Sequence, residues 1–199
     1  MSKSSQKDTS KKCTKSGKQS TDHLPTISFT KEDAQGLLLE HDDPVVITMI
    51  LANANLHHTL IDQGSSADIL FKPAFDKLEL EEKYLKAYPD SLFGLRDTSI
   101  QPLSYISLYT TFKQGTKSRP LIIDYIVINV NLAYNALIGQ TALNRLAAMV
   151  STPHFCMKFS MVEGIATIKG DQKLPRKCYN ETLSVKGNSG GKEVNTIEL

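Results

Sequence analysis

Leu60-Ile61-Asp62-Gln63-Gly64-Ser65-Ser66-Ala67-Asp68-Ile69-Leu70 is the stretch on which the reading of this chain turns. One carboxylate, Asp62, follows an apolar run and precedes a turn of small hydroxyl residues. An acid at the end of a buried strand sits at the edge of low dielectric, where burial and neighbouring groups can move its pKa towards a catalytic value. Taken alone the stretch reads first as a plain turn, because Asp and Gly are the residues that turns favour. The order of elements on either side decides between the two.

Upstream, Val45 to Leu51 is a β-branched run with the length of a buried strand, Asn53-Ala54-Asn55 supplies a turn, and Leu56 to Ile61 returns as a second strand. His57 and His58 stand near its start; adjacent strand residues point to opposite faces, so the two do not readily chelate one metal and read as ordinary edge residues. Further back, Thr26 to Thr30 alternates as a half-buried strand does and opens the domain. Downstream, Ile69-Leu70-Phe71 continues the core, and Pro73 suits the first turn of a short helix through Leu78. Glu79 to Lys86 is charged and exposed in this reading, and residues 92–103, bounded by Gly94 and Pro102, form a mobile hairpin or loop.

Ser104 to Phe112 and Pro120 to Val130 then read as two strands joined by Gln114-Gly115-Thr116. In Tyr134 to Leu146 a short apolar run meets Gly139, after which Leu143 and Leu146 share one helix face and Thr141 is the expected N-cap. Three short strands follow, over 149–151, 155–159 and 165–168. Short strands joined by tight turns favour an all-β barrel or sandwich over a sheet with crossover helices.

Composition sets the outer limits. With 199 residues, 40% of them hydrophobic, the chain has room for one domain with a real core plus tails. The formal charge of +2 is uneven: residues 1–25 hold six lysines against Asp8 and Asp22, so the remainder is mildly acidic. That tail is Lys, Ser, Thr and Gln, a composition expected to stay disordered, and weak electrostatic contact with nucleic acid is left open for it. Residues 26–171 are the expected domain and 172–199 a polar C-terminal tail or linker. Aromatics at 7% and the absence of Trp give little support for stacking on bases. Cys13, Cys156 and Cys178 are odd in number and far apart, which argues against a disulfide framework or a zinc site. No apolar run reaches membrane-span length and no secretory signal is evident, so an intracellular setting, cytoplasmic or nuclear, is expected without a membrane partner.

Three segments together, Leu60 to Phe71, Phe93-Gly94 to Leu108, and Tyr134 to Leu146 leading into Val150-Ser151-Thr152, resemble the retropepsin-like aspartic protease domain of long-terminal-repeat retrotransposon polyproteins, plant gypsy-type elements in particular. The resemblance implies a small closed β-barrel with one or two short helices and a flap hairpin. It implies a homodimer in which each chain gives one aspartate to a shared site, here Asp62, acting on a peptide or polyprotein substrate without metal or cofactor. One carboxylate must be ionised as general base on a water while its partner holds a proton, and two adjacent carboxylates share that proton as a unit. The chain has one such loop, so a second copy is needed. By the same resemblance Gly64 lets backbone approach the substrate, Ser65 donates to the Asp62 carboxylate, residues 93–105, with Phe93, Gly94, Leu95 and Ser104, form the flap, and Leu137-Ile138-Gly139 packs beneath the loop.

The chain departs from that pattern at three places. Gln63 stands where the family usually has a Thr or Ser hydroxyl tying two loops together, which implies looser loops and a weaker dimer. Gln140 stands where many members have Arg, which leaves Asp68 without that cation. Ser104 and Tyr105 occupy a stretch where glycine is common. These departures keep a second reading alongside the first: a catalytically decayed copy of the fold used for interaction or as a spacer.

Overall fold

The computed structural model describes residues 25–38, 43–89, 92–93 and 99–172. The sequence-based readings for 1–24, for most of the C-terminal tail, and for Gly94 and Leu95 lie outside the described residues.

The chain forms eleven strands among the described residues: β1 (Val46–Leu51), β2 (Ala54–Ile61), β3 (Ile69–Phe71), β4 (Leu92–Phe93), β5 (Ser99–Ile100), β6 (Ser104–Gln114), β7 (Lys117–Ile128), β8 (Ala136–Ile138), β9 (Ala148–Ser151), β10 (Cys156–Met161) and β11 (Gly164–Lys169). Two short helices join them, α1 (Lys72–Lys77) and α2 (Gln140–Leu146), with a single 3-10 turn at Glu82–Tyr84. Six strands close into a barrel in the order β1-β2-β8-β3-β7-β6. The fold is therefore all-β, as the spacing of apolar runs and turns predicts, and of the barrel and sandwich that spacing leaves open it is the closed barrel with few, short helices that the resemblance implies. A second sheet, β11-β10-β9, follows α2 in the chain.

Local chemistry explains the joints. The β1–β2 hairpin turns on Ala52 and Asn53, both at positive φ, one residue earlier than the Asn53–Asn55 turn expected. The β1–β2 register shifts between Ile47 and Met49, so His57 and His58 together face Thr48 across a bulge, and His58 takes φ +56 to do so. The two imidazoles part as expected. His57 Nδ1 lies 2.9 Å from Thr48 Oγ1, and His58 Nδ1 lies 3.3 Å from the Ala133 carbonyl. Pro73 sits in the first turn of α1, where its missing N–H is harmless. The β6–β7 hairpin is the longest pairing, running from Ser104↔Val127 to Gln114↔Lys117.

The barrel is filled by Ile47, Met49, Leu51, Leu70, Phe75, Ile106, Phe112, Ile123 and Tyr125, all but completely buried. Tyr125 is large enough to cross the core, and its hydroxyl meets Thr110 Oγ1 at 2.9 Å, so the buried phenol keeps a partner. Phe112 packs edge-on to Phe159, which joins the barrel to the second sheet. Arg119 adds a polar staple, its Nη1 donating to the carbonyls of Leu146 and Ser160.

One element departs from its sequence reading. Residues 26–30 run extended but pair with no strand among the described residues. Their backbone is held by side chains instead: Lys158 Nζ donates to the Ser28 carbonyl at 2.8 Å, and Ser160 Oγ donates to the Pro25 carbonyl at 3.3 Å. Thr30 N–H then donates to Asp33 at 2.8 Å and turns the chain away. The alternation of the segment reflects packing on β10, with Phe29 stacked on His154, and not a ladder.

Candidate active site

Asp62 leaves the end of β2 at a place where three strands meet. β2 runs parallel to β8, with Thr59, Leu60 and Ile61 opposite Ala136, Leu137 and Ile138; β3 runs antiparallel to the same β8. All three residues of β8 and of β3 are buried, which their continuous apolar runs require. The loop 62–68 therefore joins two strands that flank a third, and its ends are fixed before any loop residue makes a contact.

The loop is then tied from below, residue by residue. Asp62 N–H donates to the Ile138 carbonyl at 3.0 Å. Gln140 N–H donates to the Ser65 carbonyl at 2.7 Å, Gln140 Nε2 to the Gln63 carbonyl at 2.7 Å, and Thr141 Oγ1 to the Ser66 carbonyl at 2.8 Å. The first turn of α2 thus donates to three loop carbonyls that would otherwise have no ladder partner. Leu137, Ile138 and Gly139 do lie beneath the loop, and Gly139 is needed there for space. A Cβ on it would clash hard with the Ala67 carbonyl and meet the Ser65 carbonyl oxygen at 2.7 Å.

Asp62 itself is half-buried, and its Oδ1 accepts the N–H of Gly64 at 2.8 Å. A Cβ on Gly64 would stand 3.2 Å from the same oxygen. The expected bond from Ser65 is not made. Ser65 Oγ donates to the Ala67 carbonyl and accepts the Ala67 N–H, closing a small turn of its own, so the backbone and not the hydroxyl supports the carboxylate. Gln63 is exposed, and within one chain only its carbonyl is tied among the described residues.

Asp68 closes the loop, and its partners are backbone N–H groups, with no cation bonded to it among the described residues. Its carboxylate is buried, with Oδ1 accepting the Gly139 N–H at 2.8 Å, and the Ala142 N–H in the first turn of α2 also favours its charged form. It thus takes the capping role expected of Thr141: Gly139 is the N-cap residue of α2 and carries no side-chain oxygen, so the acceptor comes from the loop. Burial pushes the Asp68 carboxyl up to about 6; the two N–H groups and the Arg145 charge pull against that rise, and Asp124 adds to it. This residue stands in the opening stretch of sequence, and the signal for its role is a carboxylate directly abutting the buried run Ile69-Leu70-Phe71.

The flap residues are only partly where the sequence puts them. Phe93 belongs to β4, which pairs with β5 as a two-stranded hairpin, Phe93 opposite Ser99. Ser104 is not in that hairpin. It opens β6 opposite Val127, with its side chain buried and its Oγ without a hydrogen-bond partner, because the alternation of β6 turns residue 104 into the barrel. Tyr105 is likewise held in the barrel wall, bonded to Lys86 in both directions. A cavity of about 360 Å³ opens between β1, β6 and β11, lined by Ile47, Thr48, Lys113, Gln114, Thr167 and Ile168 among others, and does not reach Asp62. Among the described residues no group of three or more His, Cys, Asp or Glu could hold a metal ion, and no helix is long and apolar enough to cross a membrane.

No family model and no curated protein matches the chain. Among solved structures it is similar to the retroviral protease-like domain of Ddi1 from Leishmania major, at 12% identity over 67% of this chain and 97% of that one, with a TM-score of 0.48. It is similar also to EIAV protease complexed with the inhibitor HBY-793, at 14% identity over 58% of this chain and 99% of that one, TM-score 0.43. A third is a retropepsin-like aspartic protease from Rickettsia conorii, at 18% identity over 62% of this chain and 80% of that one, TM-score 0.39.

Proposed function

We propose that this chain is one half of an aspartic endopeptidase, active as a homodimer in which Asp62 of each copy faces the other across a two-fold axis. The observation that carries the reading is the mounting of Asp62. A single half-buried carboxylate stands at the end of a barrel strand, in a loop whose backbone is bonded to β8 and α2 at Asp62, Gln63, Ser65 and Ser66. Such fixing is what a catalytic group needs, since displacement of about 1 Å costs on the order of a hundredfold in rate. One carboxylate cannot be general acid and general base at once, and a like-charged partner a few ångströms away is what separates the two roles. In the resulting dyad one Asp62 takes a proton from the attacking water while the other, protonated, donates to the scissile carbonyl of an extended peptide. The substrate and source that fit the sequence resemblance are the polyprotein of a plant gypsy-type retrotransposon and the element encoding it.

A specific observation supports a second reading. The Gln63 side chain has no partner among the described residues and lacks the short hydroxyl that would knit two loops together, which suits a barrel kept for self-association without catalysis. One experiment separates the two. Turnover of a quenched peptide library by the purified chain at about pH 5, inhibited by a statine-type mimic and abolished by Asp62→Asn, is the result expected of the endopeptidase. Turnover that survives Asp62→Asn rejects Asp62 chemistry, and a dimer without turnover, even after Gln63→Thr, leaves the interaction module.

A further inference from the structure

The one acid buried in the barrel among the described residues takes no part in the chemistry proposed for Asp62, and its connections point to a different task. Asp68 accepts the N–H of Gly139 at 2.8 Å, directly before the first turn of α2. The next two residues, Gln140 and Thr141, are the ones that hold the carbonyls of Gln63, Ser65 and Ser66. The Asp68 carboxylate fixes the first turn of α2, and that turn fixes the loop carrying Asp62. Its surroundings are specific. From α2 comes the Arg145 guanidinium, already donating to the Ile122 carbonyl at 2.5 Å. From β7 come Asp124, which Ser107 Oγ holds at 2.5 Å, and Tyr125, whose phenol burial keeps neutral well above the ordinary tyrosine range. No cation is bonded to Asp68 itself among the described residues.

We propose that Asp68 is a positioning residue for the Asp62 site, a clamp between loop and helix that tightens as the medium becomes acidic. This rests on the endopeptidase reading only for its catalytic consequence; the clamp itself is a property of one chain. The sign follows from geometry and burial. Opening the junction returns Asp68 to water, where its carboxyl titrates at about 4. Closed, the same carboxyl is pushed up to about 6, so the closed state holds the proton more tightly. Closure is therefore favoured most below about pH 4 and loses ground as pH rises through about 6. Tyr125 stays neutral over that window. The acid setting in which an aspartic dyad works is then also the setting in which its loop is held most firmly.

Amide hydrogen exchange of the full chain, corrected for the intrinsic rate, tests this at Gly139, Gln140 and Ala142. The opening equilibrium at these three amides is expected to increase about tenfold to a hundredfold between pH 4 and pH 7 in the unaltered chain. Asp68→Asn, which keeps an acceptor for Gly139 N–H but cannot ionise, is expected to make the opening nearly independent of pH. Asp62→Asn is expected to leave the pH dependence intact. In the peptide assay Asp68→Asn moves the pH profile of kcat on its neutral side with KM little changed. A pH dependence that survives Asp68→Asn, or junction amides whose opening is flat over the window in the unaltered chain, overturns the proposal. Absence of turnover refutes the endopeptidase reading and leaves the exchange result to decide the clamp.

Discussion

Gln140 reaches back from the first turn of α2 to place its Nε2 2.7 Å from the carbonyl oxygen of Gln63, so the residue after the catalytic candidate is held by its backbone and not by its side chain. The bond is exposed, and a net worth of roughly 1 kcal/mol is what an exposed amide–carbonyl pair supplies. Gln140→Ala is expected to lower the urea midpoint only slightly while raising amide exchange at Gly64 and Ser65 several-fold. Equal exchange in both proteins would show that the bond does not hold the loop.

Gly139 leaves no room for a methyl group, because the carbonyls of Ala67 and Ser65 crowd the position where a Cβ would stand. Its φ of −97° is ordinary, so the requirement is one of close approach alone. Gly139→Ala is expected to cost about 3 kcal/mol, the scale of an overpacked core, read as a drop in denaturation midpoint. Gly115→Ala tests the contrast: nothing lies within 4 Å there, but φ is +58, so a loss of about 1 kcal/mol comes from backbone strain.

Lys158 and Asp33 form a pair at 2.7 Å, with side chains 10% and 13% exposed. Lys158 also holds the Ser28 carbonyl and lies 5.2 Å from the centre of the Phe29 ring. Removing one member of a buried pair strands the other, so Lys158→Met is expected to cost about 3 kcal/mol and to release residues 25–30 from β10. Limited proteolysis reads the release: new cleavage between Pro25 and Lys31 is expected in the variant.

Asp33 and Asp68 tilt stability in opposite directions with pH. The Lys158 ammonium holds Asp33 below the usual carboxylate range, so its contribution is full above about pH 4 and is lost as pH falls through its lowered folded value. Burial holds Asp68 up at about 6, so its contribution is full below about pH 4 and is lost as pH rises through 6. Thermal denaturation from pH 3 to pH 8 is expected to flatten on its acid side in Asp33→Asn and on its neutral side in Asp68→Asn. For Asp68 the change is roughly 1–3 kcal/mol, since a tenfold difference in proton affinity between folded and unfolded chain is worth about 1.4 kcal/mol. A neutral limb unchanged by Asp68→Asn would contradict the assignment.

Periodicity makes most of the barrel legible in the sequence. The runs Val45 to Leu51, Leu56 to Ile61 and Pro120 to Val130 announce β1, β2 and β7, because strands packed on one or both faces must be apolar in the matching pattern. The turn at Gly115 follows from residue chemistry, since Gly115 takes φ +58. What is illegible is long-range bonding. Thr141 has the look of an N-cap because capping rules consider only neighbours in the chain, whereas the true acceptor, Asp68, arrives from another element. Ser65 spends its hydroxyl on Ala67, a choice between two nearby acceptors that composition cannot rank. Thr26 to Thr30 has the alternation of a strand but joins no ladder among the described residues, and Ser104 falls on the barrel side of a boundary that no residue type marks.

The pairing of β2 with β8 has a kinetic consequence. Thr59, Leu60 and Ile61 must find Ala136, Leu137 and Ile138 across all of α1, the β4–β5 hairpin and the β6–β7 hairpin. Contacts so distant in the chain form late, because the entropy of closing the intervening loop is lost before the contact returns anything. During synthesis the β6–β7 hairpin can form while Asp62 still lies in a loop with no floor. A nascent chain ending before Gly139 holds the acid, the glycine and the serines but none of the bonds from the first turn of α2 that fix the loop. Assembly of the site is thus deferred until α2 has left the ribosome.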